Sequence, residues 1–336
     1  MKKVLICFGT RPEWLKIKPL LKHLKEYTIF FTGQHDDLLK NELNKYSTRI
    51  LASKISTKGK NRLNNIISSI LDSFPTDNFE SVLVQGDTAS AYACALAGFN
   101  HGSKVIYLEA GLRSFNLKHP YPEEGYRQMI SRISDINLCP TDLSLMNLEN
   151  ENVTGKNYVV GNTVLDNLNE LKAKAVYENL VLITLHRREN LPIINEWLDQ
   201  IFNIAQKNNQ INFKIIEHPN NKINLPRVKN LEKIEPQKHS DFLKLLVKAK
   251  LLITDSGGLQ EEGSFLNKKV IVCRRVTERP EGIDSGHIFM CENPQDLESK
   301  FMQLINNFEI NSPSPYGDGK SSEKIIKILR ENDISV

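Results

Sequence analysis

Cysteine is scarce and scattered. The five cysteines (Cys7, Cys94, Cys139, Cys273, Cys291) are odd in number and show no C-x-x-C spacing. That pattern speaks against a disulfide framework or a cysteine zinc site and points to a reducing compartment. Long apolar runs are missing too: no stretch approaches the roughly 20 apolar residues of a membrane helix. Met1-Lys2-Lys3 and the short apolar run after it resemble the start of a signal peptide, but Arg11-Pro12-Glu13 interrupts the run at once. A soluble, cytoplasmic protein with no membrane partner is expected. Charge of one sign is equally lacking. A net charge of +4 over 336 residues does not suggest nucleic acid and suits an anionic small molecule. No G-x-G-x-x-G follows the first apolar run, so a nicotinamide-dependent route has no support. The segment Gly317-Asp318-Gly319-Lys320-Ser321 imitates a phosphate-binding P-loop, yet Ser314 stands where that loop needs glycine. It reads as a turn and N-cap to the last helix.

What is present is a soluble globular composition, 40% hydrophobic and 25% charged, on a chain too long for one ordinary core. Apolar runs alternate with helical patterns. Strands are expected at 4–8, 27–31, 82–84, 105–108 and 136–138, and helices near 37–46, 62–71, 88–98, 123–133 and 162–175. The helix after the first strand has a core face at Leu15, Leu20, Leu21 and Leu24. The alternation then restarts, with strands at 180–184, 213–216, 251–254 and 269–273 and helices at 196–206, 241–249 and 259–266. The expected fold is α/β: two facing Rossmann-like domains with the active site in the interdomain cleft. The domains are placed at 1–165 and 166–312, with 313–336 a C-terminal helix packing back toward the first.

The stretch from Ser81 to Arg127 organises the chain. Two strands there end in carboxylates, Asp87 and Glu109, and a proline-flanked turn delivers Glu123 and Glu124. In an open parallel sheet, chemistry sits beyond the carboxyl ends of the strands, so these acids would face one pocket. Asp87 also reads as a cap to the helix after it. Glu109 is harder to dismiss, since the Ala-Gly after it supplies no helix to cap and no charge partner.

Arg11 and Lys16 open a helix whose N-terminus already favours an anion; the plainer reading is solvated surface charge. Asp255-Ser256-Gly257-Gly258, between a strand and a helix, is the best phosphate cradle, or else a plain strand–helix turn. Glu262, one turn further, is either solvated or placed to reach ribose hydroxyls. His186 is either a structural histidine or, beside Arg187 and Arg188, polar and anion-facing. His218 is ambiguous.

Taken together the sequence resembles the non-hydrolysing UDP-N-acetylglucosamine 2-epimerase family. The resemblance rests on Phe8-Gly9-Thr10-Arg11-Pro12-Glu13 with Lys16, on Thr32-Gly33-Gln34-His35, and on Gln85-Gly86-Asp87-Thr88. It continues through Glu109-Ala110-Gly111-Leu112-Arg113, Pro122-Glu123-Glu124 with Arg127, and His186-Arg187-Arg188-Glu189. Thr254-Asp255-Ser256-Gly257-Gly258 with Gln260-Glu261-Glu262, and Thr277-Glu278-Arg279-Pro280-Glu281, complete it in family order over nearly the whole chain.

The resemblance implies a glycosyltransferase-B-like fold, a homodimer, no metal or redox cofactor, and a product used in a surface polysaccharide. It assigns Asp87, Glu109, Glu123 and His186 to catalysis in the first domain and its neighbour. It assigns Arg11, Lys16, Ser256, Gly257, Gly258, Glu262 and Arg279 to the diphosphate and ribose, Gln237 and Phe242 to uracil, and Arg127 to substrate binding. The reaction implied is expulsion of UDP from C1, loss of the C2 proton to give a 2-acetamidoglucal, and re-addition with C2 inverted. Asp37 and Lys60-Asn61 depart from the glutamines and Arg-Gln pair of members activated by a second UDP-sugar, so such activation is not expected. His218-Pro219-Asn220 departs from a usual His-x-Asn-Pro. The alternatives are a 2-epimerase of a UDP-2-acetamido-2,6-dideoxy sugar, a glycosyltransferase of the same fold, and a catalytically silent nucleotide-sugar sensor.

Overall fold

The structure, a computed structural model, describes residues 3–34, 39–50, 61–170, 176–187, 189–217 and 226–336. His35, Asp37, Lys60, Arg188, His218, Pro219 and Asn220 lie outside the described residues. The chain divides into two units, Met1–Asn167 with Gly319–Val336, and Leu168–Asp318.

The first unit is built on strands β1 (Lys3–Phe8), β2 (Tyr27–Phe31), β3 (Thr48–Ile50), β4 (Phe79–Gln85), β5 (Lys104–Leu108), β6 (Ile136–Cys139) and β7 (Lys156–Val159). Its helices are α1 (Arg11–Leu21), α2 (Lys40–Leu43), α3 (Arg62–Asp72), α4 (Ala89–Asn100), α5 (Glu123–Ile133) and α6 (Asp142–Asn150), with α7 (Asp166–Glu170) at the boundary. The strands pair in parallel in the order β3-β2-β1-β4-β5-β6-β7. Val4 to Phe8 are wholly buried, because a parallel sheet carries helices on both faces. Trp14, Ile17 and Leu20 of α1 pack on one face and Ile66, Ile70 and Ala91 on the other. The core face of α1 therefore runs through Trp14 and Ile17, and Leu15 is only half-buried.

The second unit has β8 (Leu180–Thr184), β9 (Asn212–Ile216), β10 (Leu231–Ile234), β11 (Leu251–Thr254), β12 (Lys269–Val272) and β13 (Ile288–Met290). Its helices are α8 (Ile194–Lys207), α9 (His239–Lys248), α10 (Gly257–Phe265), α11 (Glu281–Asp284) and α12 (Leu297–Ile305). The order is β10-β9-β8-β11-β12-β13, again all parallel. The last helix, α13 (Ser321–Glu331), belongs to the first unit, where Ile325 and Leu329 join the core of α1.

Both sheets reverse strand order once, between β1 and β4 and between β8 and β11. Loops on either side of such a switch point diverge and leave room for a ligand at the carboxyl edge. The helix expected over 162–175 begins differently. Asn162 caps a single 3₁₀ turn, Thr163–Leu165, with its side chain accepting from the Val164 N–H at 3.1 Å, and α7 follows. Among the described residues, no helix is long and apolar enough to cross a membrane. All five cysteines are free and buried.

Candidate active site

At the first switch point, Glu13 joins the two diverging loops. One carboxylate oxygen accepts from the Gly9 N–H (2.9 Å), the Thr10 N–H (2.7 Å) and the Thr10 hydroxyl (2.8 Å). The other accepts from the Thr88 hydroxyl at 2.6 Å, across from β4. Burial raises the Glu13 pKa, and these donors, Thr88 foremost, oppose the rise. This carboxylate is not among the residues singled out from sequence; the Thr-x-x-Glu spacing of a capping box is the signal that points to it. Gly9 is needed because a Cβ there would lie 2.3 Å from the Ser90 hydroxyl and 2.4 Å from that of Thr32.

The cap of α4 is Thr88, whose hydroxyl accepts from the Ala91 N–H at 3.1 Å. Of the two readings of Asp87, capping is thus taken by its neighbour. The Asp87 carboxylate accepts instead from Arg127 of α5, from Nε at 2.8 Å and Nη2 at 2.6 Å. Glu109, at the end of β5, has a left-handed backbone with φ of 68°. A non-glycine residue held there stores strain that the surroundings must compensate. Lys16 Nζ pairs with one Glu109 oxygen and Gln85 Nε2 with the other, while Asn162 Nδ2 stands 3.4 Å from the first. The charge partner that the neighbouring sequence could not supply comes from α1. Lys16, expected at the diphosphate, is therefore placed on an acid.

Glu123 opens α5, one turn before Arg127 on the same face, with one carboxylate oxygen buried. Its neighbour Glu124 is fully buried and accepts from the Ser114 and Phe115 N–H groups at 2.9 and 3.2 Å. Tyr107 lies beneath this edge, wholly buried. Its phenol is pushed up by burial first and by Asp87 next. Arg11 is the first residue of α1 and is half-buried.

In the second unit the organiser is Asp255, with no exposed surface. Its carboxylate accepts from the N–H groups of His186 (3.0 Å) and Arg187 (2.9 Å) and from Asn190 Nδ2 (3.0 Å), shaping the loop after β8. The His186 ring is about one-third exposed, with Nδ1 3.5 Å from Asp255. Ser256 sits at the N-cap of α10 in extended conformation, but its hydroxyl does not cap the helix. The first-turn N–H groups thus have no side-chain cap, as an anion cradle requires. A Cβ on Gly257 would lie 2.8 Å from Arg279 Nη1, whereas one on Gly258 would meet nothing within 4 Å.

Arg279, expected at the diphosphate, is buried over this cradle and held by Glu261 and Glu278, each at 2.6 Å. Glu278 also pairs with Arg274 at 3.1 Å. Arg187 is different: among the described residues no carboxylate pairs with its guanidinium. Burial, and then Arg274, lower its pKa, with Glu278 and Glu189 opposing. An under-neutralised cation beside an uncapped helix start attracts an anion. Glu262 of α10 is buried and meets His239 Nε2 at 2.6 Å. Phe242 is buried on α9, and Gln237, just before that helix, donates from Nε2 to the Glu235 carbonyl at 2.7 Å.

Comparison with known proteins places the chain. Residues 20–330 match the family model described as UDP-N-acetylglucosamine 2-epimerase. A UDP-N-acetylglucosamine 2-epimerase of Neisseria meningitidis is 34% identical, over 98% of this chain and all of its own length. The crystal structure of the Neisseria meningitidis UDP-GlcNAc 2-epimerase bound to UDP-GlcNAc has a TM-score of 0.87 at 32% identity, covering 99% of this chain and 100% of that one. The Methanocaldococcus jannaschii UDP-GlcNAc 2-epimerase, solved with UDP-GlcNAc and UDP, has a TM-score of 0.81 at 30% identity, covering 98% and 100%. The fold is accordingly α/β and glycosyltransferase-B-like. With its family model matched over most of its length, the chain belongs to the UDP-N-acetylglucosamine 2-epimerase family, a family of isomerases.

Proposed function

We propose that this protein interconverts UDP-N-acetylglucosamine and UDP-N-acetylmannosamine without hydrolysis. The observation that carries the reading is the pair of clamped acids at the first switch point: Asp87 held by Arg127, and Glu109 held by Lys16 and Gln85. Two fixed carboxylates beside a third on α5 suit a reaction that moves a proton to and from carbon.

The C2 proton of an N-acetyl sugar is not next to a carbonyl and is not removed directly at neutral pH. Cleavage of the C1–O bond first releases UDP with the bonding electrons and leaves positive charge at C1. That charge acidifies C2–H, and a carboxylate takes the proton to leave the C1=C2 double bond of a 2-acetamidoglucal. Return of the proton to the opposite face of C2, with UDP re-adding at C1, inverts C2 and consumes no water. Asp87, Glu109 and Glu123 are assigned the proton transfers, each contributing about 10²–10⁴-fold. The departing diphosphate is assigned to the uncapped start of α10 with Ser256, Gly257 and Gly258, supported by the cations Arg187 and Arg279 and by His186. The ribose is assigned to Glu262 and the uracil to Gln237 and Phe242.

The test is proton NMR of the purified protein with UDP-N-acetylglucosamine in deuterated water. Deuterium at C2, with UDP-N-acetylmannosamine growing to an equilibrium, is the expected result. Release of free N-acetylmannosamine and UDP would instead mark a hydrolysing enzyme. Absence of both product and exchange would remove this substrate.

A further inference from the structure

Glu262 is only 2% exposed, yet among the described residues one side chain hydrogen-bonds its carboxylate: His239 Nε2, at 2.6 Å. A buried carboxylate with a single donor retains lone pairs to spare, since it offers about four acceptor sites. The two residues come from different helices. His239 opens α9, which follows β10, and Glu262 lies in the second turn of α10, which follows β11. In a parallel sheet both helix starts stand at the carboxyl edge of the second unit, the edge that carries the phosphate cradle. The imidazole is itself largely enclosed, with a side-chain exposure of 16%, so the pair is set rather than wandering.

We infer that His239 is a positioning residue for nucleotide recognition: by holding one oxygen of Glu262, it aims the other at the ribose and makes the second unit discriminate ribose from deoxyribose. This rests on the assignment of the nucleotide to that unit. A carboxylate free to rotate serves any nearby donor, whereas one fixed by an Nε2–H presents its remaining lone pairs in one direction. Tautomer and rotamer are then set together, with Nε2 the donor. The neighbouring residues agree with this placement, since Gln237 and Phe242, expected at the uracil, flank His239 on the same short stretch of chain.

The probes are UDP and 2′-deoxy-UDP, titrated calorimetrically into the full-length protein. Wild type is expected to favour UDP by about 10- to 100-fold, the contribution of a hydrogen bond to a charged group. His239→Leu, which fills the space without a donor, is expected to reduce that preference below about 3-fold through weaker UDP binding. His239→Gln, which keeps a donor, is expected to recover most of it. A second measurement needs no substitution: imidazole nitrogen NMR of wild type should show the Nε2–H of His239 both free and with UDP bound. Full discrimination in His239→Leu, or loss of the Nε2–H bond when UDP enters, would overturn the inference alone. Failure of wild type to bind UDP, or to prefer it over 2′-deoxy-UDP, would instead remove the nucleotide assignment on which it stands.

Discussion

Arg127 grips Asp87 with two nitrogens, Nε at 2.8 Å and Nη2 at 2.6 Å. The rigid fork of a guanidinium fixes the plane of the carboxylate as well as its distance. The resemblance assigns Arg127 to substrate binding; in the structure its guanidinium holds Asp87, and a role in positioning that acid is testable. Arg127→Lys keeps the charge and loses the fork. It is expected to lower kcat by about 10²-fold while UDP affinity stays within about 3-fold. Steady-state kinetics with calorimetric UDP titration would decide it, and an equal loss in both would place Arg127 on the nucleotide after all.

Lys16 and Glu109 form a second pair, with side chains 12% and 8% exposed. Removing one member of a buried pair leaves an uncompensated charge, at a cost of about 3–5 kcal/mol. Lys16→Met is therefore expected to lower stability to urea by about that amount. Lys16→Met combined with Glu109→Gln, which removes both charges, should regain most of the loss. Activity would be lost in both, so the denaturation midpoint is the informative reading. Additive losses in the double variant would contradict a direct pairing.

The interior of the fold was legible because strands buried on both faces read as unbroken apolar runs. Nine of the strands were expected on that ground, and the four others, β3, β7, β10 and β13, are the edges of the two sheets. Edge strands have only one neighbour and need less burial. The residues of β3 and β7 are mostly half-buried or exposed, which removes the run that marks a strand. The site was legible as residue types but not as partners. Asp87 and Glu109 stand out at strand ends, yet nothing local says that Lys16, 93 residues away, would meet Glu109. Glu13 and Asp255 shape the loops from below. Asp255 reads locally as part of a turn, since the donors it gathers come from a loop distant in sequence, whereas Glu13 draws mostly on its own capping box and only its link to Thr88 is distant.

Gly257 and Gly258 separate packing from ligand approach. A Cβ at 257 would press on Arg279, which cannot retreat because Glu261 and Glu278 hold it. Gly257→Ala is expected to destabilise the second unit by about 1–3 kcal/mol and to weaken UDP binding. Gly258→Ala has open space around its Cβ, so its melting temperature should match wild type. Any effect on UDP there reports close approach of phosphate to backbone. Equal melting temperatures for the two variants would show that Arg279 yields freely.

Lys268 is wholly buried just before β12. Its Nζ donates to the Val176 carbonyl at 2.7 Å and lies 3.9 Å from the centroid of the Tyr177 ring. Burial pushes its ammonium down to about 7 from an ordinary value of 10.5. Between those two values the unfolded chain carries the proton and the folded one does not, so the unfolded state binds more protons. Stability must therefore rise with pH across that window and stay flat, for this group, below it. Lys268→Met keeps the aliphatic stem and removes the titration. Urea denaturation of both proteins between about pH 6 and pH 9 should show wild type gaining on the variant only above about pH 7. A gap that stays constant over the same range would mean that the carbonyl and the ring keep the ammonium charged throughout.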